Sequence, residues 1–283
     1  MAARPRTLPA AIAPVLVGSA AAHGPDFRWL AFFAALLGSV LIQIGTNLAN
    51  DYSDAKRGAD TADRLGPVRV TSAGLVAPKR VLTATWIAFG LAALVGIYLA
   101  TVAGPGIIAV GLVSIAAGYL YTGGPRPYGY AGLGEVFVFL FFGLVAVNGS
   151  YYVQLEDLDA LPILLSIAVG CLSTAILVVN NVRDLDTDRR AGKNTLAVRI
   201  GRERTRALYL GLVGLAFLMV PVALLAGDGP GWGMLAWISA PLAIKPARAV
   251  LERTDGAALN GALAGTGALL GIFSILLSVG LLV

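Results

Sequence analysis

The chain has 283 residues, 57% hydrophobic and 13% charged, with a net charge of +5 at pH 7. Soluble globular domains average about 45–50% apolar and about 25% charged residues, so this composition excludes an ordinary soluble enzyme, and its apolarity excludes a disordered chain. One cysteine and one histidine, Cys171 and His23, exclude a disulfide framework, a cysteine-based metal site and a histidine cluster.

A helix needs about 20 consecutive apolar residues to span a bilayer. In chain order the sequence offers nine such runs: 8–22, 29–49, 81–102, 106–122, 133–154, 161–180, 207–226, 231–250 and 260–282. The first is short, holds Pro9 and Pro14, and with Ala20-Ala21-Ala22 after a basic start also has the form of a signal peptide. The eighth contains Pro241 and ends near Lys245. The expectation is an all-α, polytopic membrane protein: nine transmembrane helices forming one integral-membrane domain over 1–283. Its partner is the lipid bilayer, and no nucleic acid is called for.

The charges order this map. If all nine runs span, every lysine and arginine except Arg28 falls on one side of the membrane. The positive-inside rule makes that side cytoplasmic, which gives an N-in, C-out chain in the cell membrane. Two long gaps on that side, 50–80 and 181–206, hold most of the charge. They follow helices 2 and 6, which suggests two related four-helix halves after an extra first helix.

Each long gap opens with amides followed by carboxylates. Helix 2 runs out through Asn47, Asn50, Asp51, Asp54, Lys56, Arg57 and Gly58 to Asp60. Helix 6 runs out through Asn180, Asn181, Arg183, Asp184, Asp186, Asp188, Arg189, Arg190 and Gly192 to Lys193. At helical spacing Asn47, Asp51 and Asp54 share one face, and so do Asn181, Asp184 and Asp188, whereas Asp186 points away. Both faces offer oxygen ligands only, which suits a hard cation such as Mg²⁺. The interleaved basic residues include Arg57, Arg64, Arg69, Arg183, Arg189, Arg190 and Lys193. Carboxylates, a metal and arginines or lysines together are the composition of a diphosphate site. Solvated loops that only orient the helices would need no such paired acidic faces.

These motifs, with two further stretches, resemble the intramembrane UbiA superfamily of aromatic prenyltransferases over almost the whole chain. Arg4-Pro5-Arg6-Thr7-Leu8-Pro9 looks like the opening helix of its menaquinone branch, the 1,4-dihydroxy-2-naphthoate polyprenyltransferases, and so speaks for retention of segment 1. Tyr121-Thr122-Gly123-Gly124-Pro125-Arg126-Pro127, followed by Gly129-Tyr130 and Gly132-Leu133-Gly134-Glu135, looks like that branch's stretch around helices 4 and 5. Asn180-Asn181, Arg183-Asp184, Asp188 and Ala191-Gly192-Lys193 look like the second motif, running on into Thr195-Leu196-Ala197.

The resemblance implies a Mg²⁺-dependent transfer of a polyprenyl group from polyprenyl diphosphate to 1,4-dihydroxy-2-naphthoate. Carbon dioxide and diphosphate leave, and demethylmenaquinone results. It implies metal binding by Asn47, Asp51, Asp54, Asn181, Asp184 and Asp188. It implies diphosphate contacts from Asn47, Asn50, Lys56, Arg57, Arg69, Arg126, Asn181, Arg189 and Lys193. Asp51, Asp54, Asp60, Asp184 and Asp188 are the expected catalytic acids, with Asp60 or Asp188 as candidates for taking the acceptor's proton. The spacing from Tyr121 to Arg126 departs from the Tyr-x-x-x-Lys form of the ubiquinone branch, so that motif's role does not carry over. Developing charge on the diphosphate would be met by metal and basic groups. The allylic cation would be shielded in an apolar pocket, with Tyr52, Tyr119, Tyr121, Tyr128 and Tyr130 available to present π faces to it. The competing readings are a family member with another acceptor and, from a different class, a secondary transporter. A transporter places its ionisable groups near the membrane midplane; here the carboxylates gather at one end and the helix interiors are almost free of charge, with Glu135, near the start of helix 5, as the exception.

Overall fold

The computed structural model describes residues 7–58, 65–66 and 69–283, and every regular element among them is helical. Asp60 and Arg64 of the first motif lie outside the described residues. Nine apolar helical segments follow one another: α1 (Leu8–Ala21), α2 (Trp29–Lys56), α3 (Pro78–Ala103), α4 (Gly106–Leu120), α5 (Gly134–Leu155), α6 (Ala160–Arg190), α7 (Arg202–Ala226), α8 (Gly231–Glu252) and α9 (Gly256–Leu281). Seven are long and apolar enough to cross a membrane. The other two of the nine expected spans are shorter: α1 has 14 residues and α4 has 15.

The helix ends follow local chemistry. Pro78 sits in the first turn of α3, where its missing N–H is not needed. Asp255 caps α9 by accepting the Ala258 N–H at 2.8 Å. Gly104, at φ 87°, ends α3 in a conformation that L side chains resist. Inside α5 the stretch Phe139–Val145 is π-helical, and α8 begins as a 3-10 helix over Gly231–Ala243.

Two helices are longer than the sequence pattern suggests, and both carry a motif. At about 1.5 Å per residue, the 28 residues of α2 and the 31 of α6 reach past an apolar layer about 30 Å thick. The apolar runs stop near 49 and 180, but the helices continue to Lys56 and Arg190. Helical spacing therefore persists through both polar clusters, and each keeps its one-sided face.

α6 forms the centre of the core. Leu165, Val169, Leu172, Val178 and Val179 are fully buried, packed among α1, α5, α7 and α9. The contact with α5 is made at glycines. A Cβ on Gly143 would stand 2.6 Å from the Cα of Gly170 and 2.8 Å from the carbonyl oxygen of Ser166, so both backbones occupy the space a side chain would need.

The loops separate by end of the bundle. Arg28 joins the α1–α2 turn to the α5–α6 turn through Glu156 at 2.7 Å and through its N–H to Gln154 Oε1 at 2.8 Å. At the other end Asn260, at the start of α9, takes a bond from Arg183 Nη1 at 2.8 Å and gives one to the Leu65 carbonyl at 2.9 Å. The two motif loops and the α8–α9 turn thus meet at one end, as the charge map requires of them.

Gly143→Ala should lower the thermal midpoint of the detergent-solubilised protein, since backbone on both sides must shift, at a cost of about 1–3 kcal/mol. Gly90→Ala, where a Cβ meets nothing within 4 Å, should not. Tryptophan fluorescence on heating checks this; equal midpoints for the two variants would contradict the close packing of α5 on α6.

Candidate active site

The first motif is built on the end of α2. Asp51 and Asp54 are both buried, with 2% and 1% of their surfaces exposed. Their partners differ. Asp51 accepts the backbone N–H groups of Val70 at 3.1 Å and Thr71 at 2.9 Å, so its carboxylate fastens the segment that returns from the long loop. That segment delivers Arg69, whose Nη2 reaches Asp54 Oδ2 at 2.6 Å. The other oxygen of Asp54 accepts the Tyr130 hydroxyl at 2.5 Å, and Lys193 Nζ stands 3.8 Å from Oδ2. Residues from the loops after α2, α4 and α6 therefore converge on one carboxylate.

Tyr130 joins the loops further. Its ring lies 4.9 Å beneath Lys193 Nζ and 5.8 Å from the Arg57 guanidinium, within cation–π range. Its carbonyl accepts the Asn194 N–H at 3.0 Å. Arg57 donates to the carbonyl of Gly124. Within the cluster Thr122 Oγ1 donates to Asn50 Oδ1 at 2.7 Å, and the amides of Gln43 and Asn47 both donate to Thr7 Oγ1, at 3.0 and 3.1 Å.

The second motif is built on the end of α6. Arg183 folds back on its neighbour Asp184 with two bonds of 2.7 and 2.5 Å, and it also donates to Asn180 Oδ1 at 2.8 Å. Asn181 Nδ2 donates to Glu135 Oε1 at 2.8 Å. Asp186 turns outward and pairs with Arg202 at 2.8 Å, as its place on the helix requires.

A cavity of about 380 Å³ opens beside these groups. Asn47, Asn50, Asp54, Arg69, Asn181, Asp184, Asp188 and Lys193 line its polar end, and residues of α2 to α6 line an apolar remainder. Both motifs face one space. Asp51 does not line it, since its carboxylate is turned to the 70–71 backbone. Lys56, Arg57, Arg126 and Arg189 are exposed and outside its lining. Among the described residues no three His, Cys, Asp or Glu side chains converge as a metal centre. The physical reason is that Asp51, Asp54 and Asp184 each face protein donors of their own. The cavity's donors are carboxylate and amide oxygens with no imidazole or thiolate, so the residues present fit a hard cation shared with a phosphate group.

Sequence reasoning passed over Gln43, Thr195 and the role of Glu135. Gln43 precedes Asn47 by one helical turn on the same face, and Glu135 is the lone acid in an apolar run; both signals were present. Tyr121 and Tyr128 also border the cavity. Burial pushes both phenols well above the ordinary tyrosine range, and at Tyr121 the negative charge of Glu135 adds to the effect. Both stay neutral at physiological pH.

The UbiA prenyltransferase family matches residues 11–270. The chain belongs to this family. A relative in Mycobacterium tuberculosis (strain ATCC 25618 / H37Rv), a 1,4-dihydroxy-2-naphthoate octaprenyltransferase, is 47% identical over 94% of this chain and 90% of its own. The protein of the same name in Escherichia coli (strain K12) is 40% identical, again over 94% and 90%. Among solved structures, that of a UbiA homologue from Archaeoglobus fulgidus bound to DMAPP and Mg²⁺ has a TM-score of 0.67 at 14% identity, covering 98% of both chains. Family membership and the apolar helices make the chain a multi-pass membrane protein.

Asp51→Asn turns one of the two accepting oxygens into an N–H₂ that can only donate, which removes about 1 kcal/mol of hydrogen-bond stabilisation from the returning segment. The Val70 and Thr71 amides should then exchange with deuterium about fivefold faster, while Asp184→Asn leaves them unchanged. Unchanged exchange in Asp51→Asn would overturn the anchoring role.

Proposed function

We propose that this UbiA-family chain transfers a polyprenyl group from its diphosphate to 1,4-dihydroxy-2-naphthoate. One observation carries the reading: Asp54, Asp184 and Asp188 share the polar end of a cavity with Arg69 and Lys193, and that cavity continues as an apolar space among the helices. A diphosphate needs the first half and a polyprenyl tail the second. The names of the mycobacterial and E. coli relatives support the choice of acceptor.

Asp54, Asp184 and Asp188, with amide oxygens of Asn47 and Asn181, would hold Mg²⁺. When bound, the ion supplies Lewis-acid stabilisation of the leaving diphosphate. Arg69 and Lys193 supply fixed positive charge where negative charge grows as the C1–O bond breaks. Both already lean on Asp54, so a diphosphate competes with that carboxylate for them. The apolar helices keep water from the allylic cation, and the Tyr130 ring carries π density at the polar end of the cavity. The new C–C bond forms at the ring carbon that bears the carboxylate. Its C–C bond then breaks, its electron pair restores the aromatic ring and carbon dioxide departs, leaving the diol form of demethylmenaquinone.

In this reading Asp51 holds the loop that carries Arg69, and Arg57 buttresses Tyr130. All nine helical segments act as one membrane unit, N-in and C-out, with the polar end of the cavity facing the cytoplasm. The transporter reading has no matching feature, since the buried carboxylates cluster at the end of the bundle.

Purified protein in lipid nanodiscs, given a polyprenyl diphosphate and Mg²⁺, should convert 1,4-dihydroxy-2-naphthoate at least tenfold faster than 4-hydroxybenzoate, with product mass read by mass spectrometry. A preference for hydroxybenzoate would overturn the choice of acceptor. No prenylated product from either would overturn the reaction class.

A further inference from the structure

The cavity has two chemically different walls. On α3 and α4 it is lined by small and branched aliphatic side chains, among them Ala92, Val95, Ile107 and Val110. On α5 and the α4–α5 connection it is lined by rings: Tyr121, Tyr128, Phe137 and Phe141. Tyr121 meets Tyr128 edge-on at 5.4 Å. Tyr128 and Phe137 stack at 4.0 Å and 22°, and Phe137 and Phe141 continue at 6.0 Å and 23°. The rings form one ordered ladder.

The ladder begins beside the ionic cluster. Tyr128 and Tyr130 belong to the same 3-10 turn, Tyr128–Ala131, so the turn that bonds Asp54 through Tyr130 also places the first stacked ring. Tyr128 donates its hydroxyl to the Ala117 carbonyl at 2.8 Å, which fixes the ring. Burial keeps that phenol neutral, so it does not repel an anionic guest.

Next to this turn lies an unused polar group. Asn194 bonds to Tyr130 through its backbone, and the following residue, Thr195, lines the cavity with 7% of its surface exposed. Its Oγ1 is buried without a hydrogen-bond partner. A buried hydroxyl left so is costly unless a guest completes it.

A flat aromatic ring gains most by extending an existing ladder through offset or edge contact. A flexible isoprenoid chain needs only apolar area, which the aliphatic wall gives. We infer that the acceptor ring binds against Tyr128 and Phe137, with Thr195 Oγ1 hydrogen-bonded to one of its oxygens, while the prenyl chain takes the aliphatic wall. This assignment rests on the naphthoate-prenyltransferase reading and names the residues that select its acceptor.

The test is steady-state kinetics of the full chain in nanodiscs, with farnesyl diphosphate and 1,4-dihydroxy-2-naphthoate varied separately, for wild type, Phe137→Leu and Thr195→Val. Each variant should raise KM for the naphthoate about three- to tenfold, the size of one aromatic or hydrogen-bond contact, and leave KM for farnesyl diphosphate within about twofold. Thr195→Val keeps the shape of the side chain and carries the test should Phe137→Leu fail to fold, which size-exclusion chromatography checks. An unchanged naphthoate KM in a folded variant, or an equal rise in both KM values, overturns the acceptor assignment while wild-type turnover upholds the reaction. Wild type that fails to convert the naphthoate overturns the underlying reading instead.

Discussion

Asp54 has given up nearly all contact with water, and an ionised carboxylate in that position must be paired or it costs several kcal/mol. The loops of this end of the bundle are arranged around that need. Arg69 arrives from the return of the first loop, Tyr130 from the turn before α5, and Lys193 from the loop after α6. They come from segments far apart in sequence, so satisfying one side chain draws three connections together over the cavity. The same need makes the site responsive to an anion. A diphosphate offers Arg69 and Lys193 more charge than one carboxylate does, and a cation offers Asp54 a replacement for what it loses.

The helices make that arrangement possible by their length and their close packing. α2 and α6 carry helical geometry beyond the apolar layer, so the polar residues at their ends remain on defined faces. The glycine contact between α5 and α6 brings the start of α5 near enough for Glu135 to accept from Asn181. That bond takes the Asn181 N–H₂ as donor, so it fixes which way the amide points. At the far end of the bundle the Arg28–Glu156 pair ties two turns together.

Much of this was legible in the sequence because it is periodic. The apolar runs gave the helices, the alternation of basic gaps gave the two ends, and spacings of three and four gave the two acidic faces, including the outward turn of Asp186. What periodicity could not give was partner choice. Asp51 and Asp54 share a face, yet one binds backbone and the other binds Arg69, because only the returning loop decides which donor reaches which acid. Arg183 reads as a cation near a diphosphate, but its guanidinium is held by Asp184, Asn180 and Asn260. Arg126 carries the charge the resemblance asks for and stands exposed outside the cavity lining. The ring ladder was visible only as scattered tyrosines and phenylalanines, since its members come from two elements whose approach no local pattern encodes.

The most direct measurement is a structure in lipid nanodiscs with Mg²⁺ and an unreactive prenyl thiodiphosphate. The diphosphate group should lie at the polar end of the cavity, in hydrogen-bond reach of Arg69 and Lys193 and between Asp54 on one side and Asp184 and Asp188 on the other, with the tail among α2 to α4. A diphosphate bound elsewhere, with Arg69 still closed on Asp54 and the shared cavity unfilled, would contradict this placement.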